Sequence, residues 1–154
     1  MTKKLRKYAS QSTLMDMKVI WESEVYTFNL YEEIQINEDS ITKEAVLQPS
    51  SYAFLTMLHR KLIRKQGELE TELKRLYASL YIEKKSRTNN STGRPYSEEH
   101  VKLEILNESQ YKLLEDRLFK IKYKAEDIEA CIRAFEQRYS LIQTIAANQR
   151  KERV

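Results

Sequence analysis

His59, His100 and Cys131, with the carboxylates, are the groups of this chain best suited to acid–base or nucleophilic work. Such work needs several groups converging with tuned proton affinities. Nothing in the spacing argues for a Cys–His pair, since Cys131 belongs to a different predicted helix from either histidine. The carboxylates Glu98/Glu99, Asp116 with Lys120, and Glu126/Asp127/Glu129 follow helical surface spacing, the ordinary pattern of i,i+4 ion pairs. No Glu-x-x-His metal motif occurs, nor a Gly-x-x-x-x-Gly-Lys phosphate loop. A single cysteine excludes an intrachain disulfide and the usual thiolate zinc site. The expectation is a non-enzymatic protein with no cofactor and no metal.

The cations offer more. Residues 54–94 carry 10 basic and 4 acidic side chains, against 6 and 8 in residues 1–53 and 11 of each in residues 95–154. The positive field therefore gathers on the middle of the chain, a candidate polyanion surface. Arg60, Lys61, Arg64 and Lys65 form two like-charged i,i+4 pairs, which cost a helix a few tenths of a kcal/mol each, so they gain nothing locally. Lys74 and Arg75 follow, then Lys84, Lys85, Arg87 and Arg94 towards a loop. Tyr77 and Tyr81 share a face close to Lys74, Lys84 and Lys85. One reading is a nucleic-acid surface, with cations tracking phosphates and Tyr77 offering stacking. The other is a solvated helix face flanked by core tyrosines.

These side chains have to be positioned by helices. With 2 Gly and 2 Pro in 154 residues, few tight turns are available and a sandwich, barrel or nucleotide-binding loop is disfavoured. Alternating steps of four and three give Leu55, His59, Leu62, Gln66, Leu69, Leu73, Leu76 and Leu80, a heptad seam interrupted by His59 and Gln66. It predicts a helix over about 49–85, with Pro49 ending one helix or beginning this one, and Gly67 its weak point. Residues 86–97 read as a loop, Ser97 as the cap of the next helix, and Ser109 as a second cap. The same stepping then gives Tyr111, Leu114, Leu118, Ile121, Ala125, Ile128, Ile132, Phe135, Tyr139, Ile142 and Ala146, none charged.

The predicted architecture is mainly α: a long antiparallel helical hairpin, about 49–85 and 97–150, preceded by a short helix starting near Asp39 and Ser40. Residues 1–29 form an N-terminal arm, basic and flexible over 1–14. From Met15 to Ile36 two short strands around Glu22–Ser23–Glu24 and a helix both remain open. Val19, Trp21, Tyr26 and Phe28 there suit a protein interface. Leu58, Ile63, Tyr77, Tyr81, Tyr123, Leu141 and Ile145 widen the two stripes, which favours self-association along Leu118, Ile121, Ile128, Ile132, Phe135, Tyr139 and Ile142. No long apolar run marks a membrane span, and Lys3, Lys4, Arg6 and Lys7 lead into no apolar signal core. The expected location is the cytoplasm, without a membrane partner.

From Leu30 onward the chain resembles the tailed-phage recombination mediators called UvsY. The likeness runs through Leu30-Tyr31-Glu32-Glu33 and the helix near Ile41–Leu47. It continues through the basic helix ending Glu72-Leu73-Lys74-Arg75-Leu76, the loop with Gly93-Arg94, the short helix Ser97–Leu106 and the long closing helix. The chain departs from the family's Lys-x-Arg spacing, because Lys74 and Arg75 are adjacent and point about 100° apart. Residues 1–29 have no counterpart. The resemblance implies a homo-oligomeric ring, of six or seven subunits, that binds single-stranded DNA without sequence preference. It implies further that the protein helps a RecA-type recombinase displace single-strand-binding protein, in the host cytoplasm if phage-encoded. A coiled-coil scaffold or chaperone-like module without nucleic-acid affinity is the competing expectation.

Overall fold

The computed structural model describes residues 16–21, 24–88 and 93–151. The basic arm over 1–14 lies outside the described residues, as do the side chains of Val19, Trp21 and Tyr26. The strand reading of the N-terminal segment holds and the helical one does not. Strand β1 (Asp16–Trp21) pairs antiparallel with β2 (Glu24–Asn29), from Asp16 opposite Asn29 to Trp21 opposite Glu24. Alternating β-branched and aromatic residues fit a pleated surface better than a helix. Asn29 finishes this ribbon and starts the next element. Its Nδ2 donates to Asp16 Oδ1 at 2.8 Å, while its Oδ1 accepts from the Glu32 N–H to cap helix α1 (Leu30–Glu33). Asn37 repeats the device, accepting from the Asp39 N–H at the head of a 3₁₀ turn, Glu38–Ser40, that runs into α2.

Helix α2 (Ile41–Lys85) is 45 residues long, about 68 Å at 1.5 Å per residue. Pro49 lies inside it, which corrects the expectation of a helix boundary there. Proline removes one N–H, and the Ala45 carbonyl loses its usual donor. The turns on either side are held by packing instead: Ile41, Gln48 and Leu55 are all buried, and Gln48 Nε2 donates to the Phe135 carbonyl at 2.7 Å. Helix α3 (Glu98–Asn107) begins at Ser97, whose Oγ accepts from the His100 N–H, and Glu98 and Glu99 face the positive end of the helix dipole. The chain breaks at Glu108, which is extended, and α4 (Ser109–Lys151) follows. The two long helices, α2 and α4, pack against each other, as the paired stripes predicted.

Two compact units share these helices. The first, Met1–Thr56 with Glu129–Val154, buries Ile41, Leu55, Cys131, Phe135 and Ile142. Arg138 is buried among them. Its guanidinium donates to the Gln35 carbonyl at 3.1 Å and to the side chains of Glu44 and Gln48, so the charge is paired and hydrogen-bonded. The second unit, Met57–Ile128, buries Leu58, Leu69, Leu114, Ala125 and Ile128. Near the loop, Leu80, Val101 and Ile105 form a core against which Leu76, Tyr77, Tyr81, Tyr96 and Tyr111 pack.

The proposed oligomer seam is largely consumed inside one chain. Ile128, Phe135 and Ile142 are buried and Leu118, Ile121 and Ile132 half-buried, so of the seven only Tyr139 is exposed. A hairpin satisfies both stripes from within, where the ends are already tethered.

Candidate nucleic-acid interface

Apart from Lys43, the cations of α2 lie in the second unit, and the seam decides which way each one points. All eight seam positions from Leu55 to Leu80 are buried or half-buried. At about 100° per residue, Arg60, Arg64, Lys74 and Arg75 all fall away from the seam, Arg64 nearly opposite it and Lys74 and Arg75 about 100° apart on its two flanks. All four are exposed, and so are Lys61 and Lys65. Lys65 meets Glu68 at 2.9 Å, but both side chains are more than half exposed, so this pair is weak and easily exchanged for another anion. Gly67 lies in the middle of the row and places no side chain over it; a Cβ there would meet nothing within 4 Å.

Nearer the loop the grouping inferred from sequence divides. Lys84 is buried, its side chain 8% exposed, and Nζ donates to Glu108 Oε2 at 2.9 Å with Glu104 at 3.8 Å. It points into the fold and is not part of the solvent-facing set. Lys85 is half-buried and donates to the Tyr96 carbonyl at 3.3 Å. Arg87 is exposed and paired with Glu83 one turn back. Arg94 is exposed in the loop, next to Gly93, whose φ of +62° is a left-handed conformation suited to glycine.

Tyr77 is also turned inward. It packs on the Leu80–Val101–Ile105 core, edge-on to Tyr111 at 6.2 Å and stacked with Tyr81 at 6.3 Å. Those contacts occupy ring surface that a base would need. The Tyr111 phenol is held above its ordinary value by burial, with Glu115 and Tyr77 adding to the effect. What remains exposed to solvent is the stretch from Arg60 to Arg75, where six cations are interrupted by Glu68, Glu70 and Glu72.

A second feature of this unit corrects the placement of Tyr123 on the margin of the second stripe and adds Phe119, which the sequence had not singled out. On α4, Phe119 and Tyr123 stand exposed and stacked, with ring centroids 6.4 Å apart, between Arg117, Lys120, Lys122 and Lys124. A groove between the two helices is lined by Glu72, Arg75 and Ser79 of α2 and by Gln110, Leu113 and Arg117 of α4.

The groups considered for catalysis are placed modestly. Cys131 is buried. His100 stacks on Tyr96 at 4.6 Å, with Nε2 3.1 Å from Glu104 Oε1. Among the described residues no cluster of three or more His, Cys, Asp or Glu could hold a metal ion, and no helix is long and apolar enough to cross a membrane. Compared with protein-family models, curated proteins and solved structures, the chain matches none of them.

Proposed function

We propose that this protein binds single-stranded DNA through the exposed basic face of α2, without catalysis, as a self-associating recombination mediator. The observation that carries the binding step is the row Arg60, Arg64, Lys74 and Arg75, exposed on α2 away from its buried leucines. Like charges set four apart repel, and an isolated helix is weakened by them. A bound polyanion removes that cost and releases its own counterions, which is the usual source of sequence-independent affinity. The mediator role, in which a RecA-type recombinase is loaded onto DNA freed of single-strand-binding protein, follows the sequence likeness of residues 30–154 to the UvsY family. Several copies together would line up more phosphate sites along one strand than a single chain offers.

The test is equilibrium binding of a labelled oligothymidylate at several salt concentrations, with light scattering to give the mass with and without DNA. The four contacts of the α2 row, at about 0.7 each, contribute close to −3 to the slope of log affinity on log salt, or about fiftyfold between roughly 50 and 200 mM salt. Arg60→Ala with Arg64→Ala should lower the slope by about 1.4 and leave the mass unchanged. A protein that ignores the oligonucleotide at the lowest salt, while remaining folded, is a scaffold and not a DNA-binding mediator.

A further inference from the structure

The stretch Arg117-Leu118-Phe119-Lys120-Ile121-Lys122-Tyr123-Lys124 divides cleanly by side. Leu118 and Ile121 are half-buried on the inner face, whereas all four cations are exposed. No acidic residue lies between Asp116 at one end and Glu126 and Asp127 at the other. Among the described residues none of Arg117, Lys120, Lys122 and Lys124 forms an ion pair. Phe119 is 47% and Tyr123 61% exposed, one turn apart, with their rings within 22° of parallel. Two large rings left in water on one face, among four exposed cations that form no ion pair, suit an occupant that is both flat and anionic.

We infer that Phe119 and Tyr123 form a stacking platform for unpaired bases of single-stranded nucleic acid, with Arg117, Lys120, Lys122 and Lys124 holding the flanking phosphates. The inference rests on the proposed function and adds a second surface to it. Every base has a π-face, so stacking on aromatic rings is sequence-tolerant and, unlike phosphate contact, demands that the bases be unstacked from a partner strand. Arg117 also lines a groove with Arg75 of α2, so one cation of the platform's stretch lies beside one of the α2 row. A second copy of the chain is a poor occupant, because a two-fold contact at this patch would set the same four cations against each other. The tyrosines of α2 cannot take this role, since Tyr77 and Tyr81 are packed on the Leu80 core.

The experiment compares the intact protein with Phe119→Leu/Tyr123→Leu, which keeps apolar bulk and loses both π-faces. Each is titrated with an oligothymidylate and with an abasic strand of equal length and charge. The wild-type protein should prefer the strand that carries bases by about tenfold or more, and the double variant should lose that preference while binding the abasic strand equally well. Phe119→Tyr/Tyr123→Phe, which keeps both rings, should bind as wild type, and Lys120→Ala/Lys124→Ala should lower the salt slope by about 1.4. The inference is overturned if the leucine variant binds oligothymidylate within about twofold of wild type. It is equally overturned if that variant's losses are the same on both strands, or if its mass changes, which would make the patch an interface between copies. Wild-type protein that binds neither strand sinks the α2 reading as well, whereas wild-type binding without base preference sinks the platform alone.

Discussion

Replacing Lys84 by Met separates what the sequence implies from what the fold does with it. By composition Lys84 belongs to the basic run; by position its ammonium is 2.9 Å from Glu108, 3.8 Å from Glu104, and nearly closed off from water. Methionine keeps an apolar stem of similar length, so no cavity opens and the change reports on the charge. A hydrogen bond to a charged group contributes about 1.5–3 kcal/mol. Glu104 and Glu108 keep about a third of their surface in water (34% and 36%) and can be rehydrated, which brings the expected loss down to about 1–2 kcal/mol. With an unfolding entropy near 2.1 cal/mol/K per residue over 154 residues, each kcal/mol moves Tm by about 3 °C, so the variant should melt about 3–6 °C lower. Thermal and denaturant unfolding at one fixed protein concentration measure it, and Glu108→Gln in the Lys84→Met background should cost less than it does alone. Affinity for oligothymidylate, measured below the transition, should stay within about twofold of wild type. If instead Tm is unmoved and affinity drops as far as with the Arg60/Arg64 pair, Lys84 contacts phosphate and the reasoning from burial is wrong.

Gly67→Ala should stabilise the protein by about 1 kcal/mol and raise Tm by about 3 °C, because the position is mid-helix and a Cβ there meets open space; a fall in Tm on a melting curve would show that the site needs glycine. Tyr111 sets an alkaline limit. Its phenol is held above the ordinary value, so its contribution to stability is present below about pH 10 and is lost as pH rises through the higher folded value. Tyr111→Phe should therefore flatten the loss of stability seen by denaturant unfolding above about pH 10, and an identical alkaline slope in the two proteins would remove Tyr111 from that account.

How far the sequence could be read depended on whether a feature is periodic or aimed. Periodicity is carried by residue type, and the seams were legible to the residue: all eight seam positions from Leu55 to Leu80 are covered, and of the eleven seam positions from Tyr111 to Ala146 only Tyr139 is exposed. The caps at Ser97 and the break before Ser109 were legible for the same reason, since each is a local hydrogen-bonding preference. Pro49 was misread because the rule applied to it is a rule for a helix on its own, whereas here Gln48 and Leu55 hold the flanking turns. The direction of a long side chain is not periodic information. Lys84 finds Glu108 24 residues further on, across the loop, and nothing local to Lys84 announces it. Tyr123 was taken for the margin of the second stripe, yet it is exposed, and Phe119 was not singled out because it lies off the seam.

The charge ledger, drawn over the two units instead of over the sequence, changes what the +4 means. The first unit holds 11 basic and 11 acidic residues and is neutral; the second holds 16 and 12, and so carries the entire excess. That neutral unit also exposes Val46 and Leu47 near the start of α2 and Tyr139 and Leu141 near the end of α4, between 47% and 71% accessible. Because Ile128, Phe135 and Ile142 are already buried within one chain, the self-association of the proposed mediator has to draw on surfaces such as these. Joining neutral, apolar faces brings copies together without bringing like charges into contact, and it leaves Arg60, Arg64 and Arg75 open to a strand. A two-fold contact through the basic face of α2 would instead set those cations against their own copies and pay their desolvation twice.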